Sequence, residues 1–149
     1  MKSIIVAIEF PLETRDVINV AKKYAKEFEA KLYVIHSETV ESYISHSVSE
    51  DNQQFNSNLM KEYKDKFEML MHELQEELSA ENIVSECILA EGLTVDCILK
   101  TAQQVKAELI VLGSHEHGKF YHLIFGSIHD LIINKSTLPI LIVPPHIKN

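Results

Sequence analysis

Ser3-Ile4-Ile5-Val6-Ala7-Ile8 is a short run without a single charged residue, rich in β-branched side chains. An amphipathic strand would alternate apolar and polar positions. A run apolar at every position belongs to a strand covered on both faces, as in a parallel sheet. Two further runs repeat the pattern: Leu109-Ile110-Val111-Leu112, stopped by Gly113, and Ile140-Leu141-Ile142-Val143, framed by Pro139 and Pro144. Leu32-Tyr33-Val34-Ile35 is a fourth strand, ending near His36 and Ser37. Ile83 to Ala90 is a fifth, interrupted by Ser85 and Glu86, which suits a sheet edge.

Helical spacing fills the intervals. Val17, Val20, Ala21, Tyr24 and Phe28 recur at three and four residues, with Lys22, Lys23 and Lys26 directed to water. Leu59, Tyr63, Phe67, Leu70, Leu74 and Leu78 form a longer stripe, read as core packing. Gly92 makes a turn, Thr94 caps a helix, and Val95, Ile98, Leu99 and Ala102 line its inner face. Gly126 and Ser127 open a short helix with Ile128, Leu131 and Ile132 inward. Residues 38–58 are rich in Ser, Asn, Gln and acids and read as a surface loop or arm. The order βαβαβαβαβ, with no internal repeat or linker, implies an α/β fold. Its single domain, 1–149, holds an open five-stranded parallel sheet with helices on both faces and right-handed crossovers. Ligands of such sheets bind beyond the carboxyl ends of the strands, where the winding reverses.

Composition narrows the partners. With 22 acids against 14 bases the formal net charge is -8, which keeps a chain soluble and repels phosphate backbones and anionic lipid. Neither nucleic acid nor membrane is expected as a partner. Apolar residues make up 46% of the 149, enough for a sizeable core. The only cysteines, Cys87 and Cys97, sit among apolar residues and read as core hydrophobes in a reducing compartment. The N-terminus lacks signal-peptide architecture, so the cytoplasm is expected.

Leu112-Gly113-Ser114-His115, the pair Gly126-Ser127, the final strand 139–143, the opening Val6-Ala7-Ile8-Glu9-Phe10, and Glu91-Gly92 together resemble the universal stress protein family, from Ser3 to Pro144. The resemblance implies a Rossmann-like, adenine nucleotide alpha hydrolase-like sheet of strand order 3-2-1-4-5, usually dimeric. It also implies adenine nucleotide held between the ends of the first and fourth strands. The implied contacts are Ala7, Glu9 and Phe10, then Ser37, then Leu112, Gly113, Ser114, His115 and Glu116, then Gly126, Ser127 and Ile128. Glu9 stands for the family's aspartate beside the adenosine, and Ser37 for an apolar residue packed on the base. The family's phosphate loop reads glycine, two residues, glycine, nine residues, glycine, then serine or threonine. Gly113, Gly126 and Ser127 match it; the middle glycine is Glu116.

That departure has a physical weight. Backbone amides can cradle a phosphate only if the chain comes close, and glycine permits this with φ > 0. A non-glycine residue held left-handed costs roughly 1–2 kcal/mol. A carboxylate about 5 Å from one phosphate charge, at an effective dielectric near 20, adds about 3 kcal/mol of repulsion. A weakened triphosphate site follows, with ATP, ADP or AMP as candidate ligands and Mg only alongside nucleotide. Gly113 and Gly126 also read as simple turn residues. His115-Glu116-His117 can be read as a metal-binding motif, and the histidines from His115 to His129 as pH sensors. No Walker loop, GxSxG or ordered Ser-His-acid set is present, so slow ATP hydrolysis is the most that is expected. An uncovered final strand at the sheet edge implies a homodimer through Ile140-Val143.

Overall fold

The computed structural model describes residues 1–8, 15–38, 57–92, 94–113 and 129–144. In chain order these form β1 (Lys2–Ala7), α1 (Asp16–Phe28), β2 (Ala30–Glu38), α2 (Ser57–Ala80), β3 (Ser85–Glu91), α3 (Thr94–Val105), β4 (Leu109–Gly113), α4 (His129–Lys135) and β5 (Ile140–Val143). All strand pairs are parallel, in the order β3-β2-β1-β4-β5. The expected sheet is therefore present, with β3 at an edge.

Two apolar layers explain the charge-free runs. Ile4, Val6, Ile8, Leu32, Val34 and Val111 meet Val17, Ile18, Ala21 and Ala25 of α1 and Met71, Leu74 and Leu78 of α2. Ile5, Ile35, Ile110 and Leu112 meet Val95, Ile98 and Ala102 of α3 and Ile132 of α4. Side chains alternate across a strand, so a residue of β1 has no solvent face to keep polar.

The helices need adjustment at their edges. On α1 the inward stripe is Val17, Ile18, Ala21 and Ala25, flanked by Val20 and Tyr24, while Phe28 is 47% exposed. Phe28 is the last helical residue and lies beyond the covered part of the sheet, against Tyr24 and under the Lys2 ammonium. On α2, Phe67, Leu74 and Leu78 are buried as expected, joined by Met71, with Leu70 only half-buried. The third strand begins at Ser85, because Val84 is 51% exposed and Ile83 belongs to the turn.

Three helices end without glycine. Glu29, Asn82 and Lys106 follow α1, α2 and α3 in the left-handed region, at φ of 51°, 62° and 53°. Ile83 N–H then donates to Leu78 O at 2.9 Å, and Ala107 N–H to Ala102 O at 2.9 Å. These bonds satisfy carbonyls that the helix leaves open. An ion cluster ties α1 to α2. Glu77 accepts from Arg15 and, at 2.8 Å, from Lys22, which also reaches Glu81. The Lys22 hydrogen bond, opposed by burial and aided by Arg15, holds the Glu77 carboxyl below its ordinary pKa. At the β3 edge the Cys87 N–H donates to Gln75 of α2 at 3.0 Å. Burial pushes the Cys87 thiol up to about 12.

Candidate functional site

The winding direction of the sheet reverses between β1 and β4, which are adjacent although far apart in sequence. Ligands of doubly wound sheets bind beyond the strand ends at such a reversal. Ala7 of β1 pairs in register with Leu112 of β4 on one side and Ile35 of β2 on the other. Leu112 is buried and Ala7 half-buried, and both face the α3 layer. Gly113 ends β4 in register with Val143. Ala7, Leu112 and Gly113 thus lie together at the reversal point.

Ser37 needs a correction of place. It was expected after the second strand, and it lies inside β2, buried and paired with Ala90 of β3. Its hydroxyl donates to Gly92 O at 3.0 Å, with Cys97 Sγ 3.7 Å away. Gly92 N–H in turn donates to Glu38 O at 3.0 Å. Gly92 has φ +128°, which side-chain-bearing residues rarely adopt, and a Cβ there would meet Cys97 Sγ at 3.6 Å. The hydroxyl is therefore part of the turn between β3 and α3.

The arm boundaries are corrected as well. Glu38, expected to open a surface loop, is the last residue of β2 and wholly buried; Ser57 and Asn58, expected to close it, begin α2. The reason is a pairing that a linear reading does not weigh. His36 and Glu38 are two apart in a strand, so both point to the α2 side. His36 Nε2 lies 2.9 Å from Glu38 Oε1, and His36 Nδ1 lies 3.1 Å from the Ile8 carbonyl. Phe67 packs against the imidazole at 5.0 Å between ring centres. The sequence signal was His-x-Glu at strand spacing.

Glu9, Phe10, Ser114, His115, Glu116, His117, Gly126, Ser127 and Ile128 lie outside the described residues, as do 39–56. Among the described residues no group of three or more His, Cys, Asp or Glu could hold a metal ion. No described helix is long and apolar enough to cross a membrane. A groove lined by Met1, Lys2, Phe28, Glu29 and Lys106 lies at the amino end of the strands, where its mixed charges favour no one class of ligand.

A family model described as the universal stress protein family matches residues 1–144. The chain belongs to the universal stress protein family. Among curated relatives, the stress response protein NhaX of Bacillus subtilis is 31% identical over 54% of this chain and 49% of its own length. Universal stress protein MJ0531 of Methanocaldococcus jannaschii is 28% identical over 91% of this chain and 80% of its own. The match to the Bacillus relative therefore spans about half of that protein. Among solved structures, that of protein MJ0577 has a TM-score of 0.70 at 20% identity, covering 99% of this chain and 98% of that one. A universal stress protein in complex with cAMP gives 0.66 at 19% identity, covering 96% of each chain. The Archaeoglobus fulgidus universal stress protein in complex with dAMP gives 0.61 at 20% identity, covering 96% of this chain and 98% of that one. At these identities the structural likeness speaks for the fold alone, an open five-stranded parallel sheet of order 3-2-1-4-5 with helices on both faces. Members of the universal stress protein family are generally regarded as non-enzymatic.

Proposed function

We propose that this universal stress protein is a cytoplasmic regulatory protein without catalytic turnover, whose crevice takes an adenine nucleotide and disfavours a long phosphate tail. The observation that carries the reading is the meeting of Ala7, Leu112 and Gly113 at the reversal of the sheet. Complexes of two structural relatives with cAMP and dAMP support the class of ligand. The remaining contacts are assigned by sequence: Glu9 and Phe10 after β1, Ser114, His115 and Glu116 after β4, and Gly126, Ser127 and Ile128 before α4. Ser127 and the amides of Ser127 and Ile128 suit an α-phosphate. Glu116 stands where the β- and γ-phosphates need close backbone, and repels them. The Ser37 hydroxyl does not offset this, because it donates to the Gly92 carbonyl.

Calorimetric titration with AMP and ATP, each with and without magnesium, tests the reading. AMP is expected to bind at least as tightly as ATP, and magnesium to help ATP alone. ATP binding more than about tenfold tighter than AMP, about 1.4 kcal/mol, would contradict it. Sustained release of phosphate from ATP would contradict the absence of turnover.

The same proposal includes a homodimer through β5, an edge strand whose partner beyond Ile140-Val143 would be a second copy. Leu141 and Ile140 pack into opposite core layers, so a charge at either position would disturb the fold as well as the dimer. Sedimentation mass is the cleaner measurement. A twofold mass at tens of micromolar is expected, and a monomer mass would overturn the dimer.

A further inference from the structure

His36 touches the end of β1 in a way that the proposed ligand site does not use. Ile8 follows the last residue of β1, and its N–H donates to Ile35 O at 2.9 Å, extending the ladder by one residue. Its carbonyl faces His36 Nδ1 at 3.1 Å. A carbonyl can only accept, so Nδ1 carries a proton. On the other side of the ring, Nε2 and Glu38 Oε1 share one proton across 2.9 Å. Whichever of the two atoms holds it, the arrangement keeps the Nδ1 proton aimed at Ile8. Against a Glu38 carboxylate the ring donates from both nitrogens, and against a protonated Glu38 it donates from Nδ1 alone, so Glu38 sets the form of the ring as a partner on one imidazole nitrogen does for the other. His36 and Glu38 are 0% exposed and Ile8 7%, with Phe67 packed on the ring, so water is a poor substitute for either partner.

We infer that His36 is a positioning residue for the crevice: its Nδ1–H fixes the exit of β1 at Ile8, and Glu38 holds the imidazole in the form that can do so. Ile8 adjoins Ala7, which pairs with Leu112 at the reversal point, so a shifted exit would displace one wall of the site. The ligand half of this inference rests on the nucleotide reading above; the structural half does not.

The test compares His36→Asn with His36→Gln. An asparagine amide reproduces the donor near Nδ1, and a glutamine amide reaches the position of Nε2. Both lose the ring, and urea unfolding should show similar losses of stability. The carbonyl 13C resonance of Ile8 and the affinity for AMP should separate them. His36→Gln is expected to move the resonance and weaken AMP by about tenfold, whereas His36→Asn should keep both near wild type, within about threefold in affinity. Equal resonance shifts in the two variants, or wild-type AMP affinity in His36→Gln, would overturn the inference. Should neither variant fold, Glu38→Gln and Glu38→Leu replace them. Glutamine can donate to Nε2 and keep the Nδ1 proton in place, while leucine cannot; indistinguishable Ile8 resonances would again overturn it. If wild type binds no AMP, the nucleotide reading fails and the Ile8 resonance alone decides this one.

Discussion

The buried residues in the lower and upper parts of β2 are chemically opposite. Leu32, Val34 and Ile35 are 0–2% exposed and wholly apolar; His36, Ser37 and Glu38 are 0–4% exposed and polar. In the lower part burial is favourable by itself. In the upper part it is unfavourable unless each polar group finds a partner. The partners are specific: Ile8 and Glu38 for His36, Gly92 for Ser37. They connect β2 to the end of β1 and to the turn after β3. The amino half of the strand packs into the core, and the carboxyl half ties it to the ends of its neighbours.

Rescue, more than size of loss, distinguishes the two halves. Glu38→Ala removes one polar partner of a buried imidazole and should lose about 3–5 kcal/mol in urea unfolding. Replacing both His36 and Glu38 by leucine should recover part of that loss, because the apolar pair needs no partner of its own, although the Ile8 carbonyl then loses its donor. Leu32→Ala should lose about 2–5 kcal/mol through the cavity it leaves, and no polar change elsewhere should restore it. A double variant no more stable than Glu38→Ala would break the comparison.

A smaller effect belongs to the ion cluster between α1 and α2. Glu77 is about two-fifths exposed, and its pairs are correspondingly screened. Glu77→Gln should cost about 0.5–1 kcal/mol at neutral pH. The folded carboxyl titrates below its unfolded value of about 4.3. Its contribution is therefore present above that value and is lost as pH falls through the folded pKa. The difference between wild type and Glu77→Gln should shrink in acid and with added salt. Burial pulls the Lys22 ammonium down, but Glu77 and Glu81 more than offset it, so the alkaline side should be flat up to at least the ordinary lysine range. The smallest effect is at Lys106, which sits left-handed after α3. Lys106→Gly removes that strain but frees the unfolded chain, for a net gain of about 0.5 kcal/mol, or about 1–2 °C in Tm.

These same positions show where the sequence was legible. The strands β1, β4 and β5 could be read because double coverage leaves no polar residue in them, and the strand order followed from the family resemblance. Helix ends were less clear. Glu29, Asn82 and Lys106 take a conformation usually marked by glycine, and a lysine or glutamate gives no such mark. Phe28 matched the helical stripe by spacing yet lies past the sheet, because spacing does not say where the covering layer stops. In the site, Gly113 and Leu112 were visible from the abrupt end of an apolar run. Glu38 was not: a lone acid beside a polar stretch looks like loop until His36, two residues earlier, is placed on the same face.

The central claim is that this family member keeps an adenine pocket and has weakened its grip on the phosphate tail at Glu116. The direct measurement is ATP affinity by calorimetry for wild type and Glu116→Gly, with adenosine as the control. The substitution removes a negative charge and any left-handed strain together, about 4–5 kcal/mol at the upper limit. Escape of the carboxylate into water reduces this, so a gain of at least about tenfold is expected, diminishing at high salt, with adenosine unchanged. Wild type binding ATP in the low micromolar range, with the variant no tighter, would contradict the account.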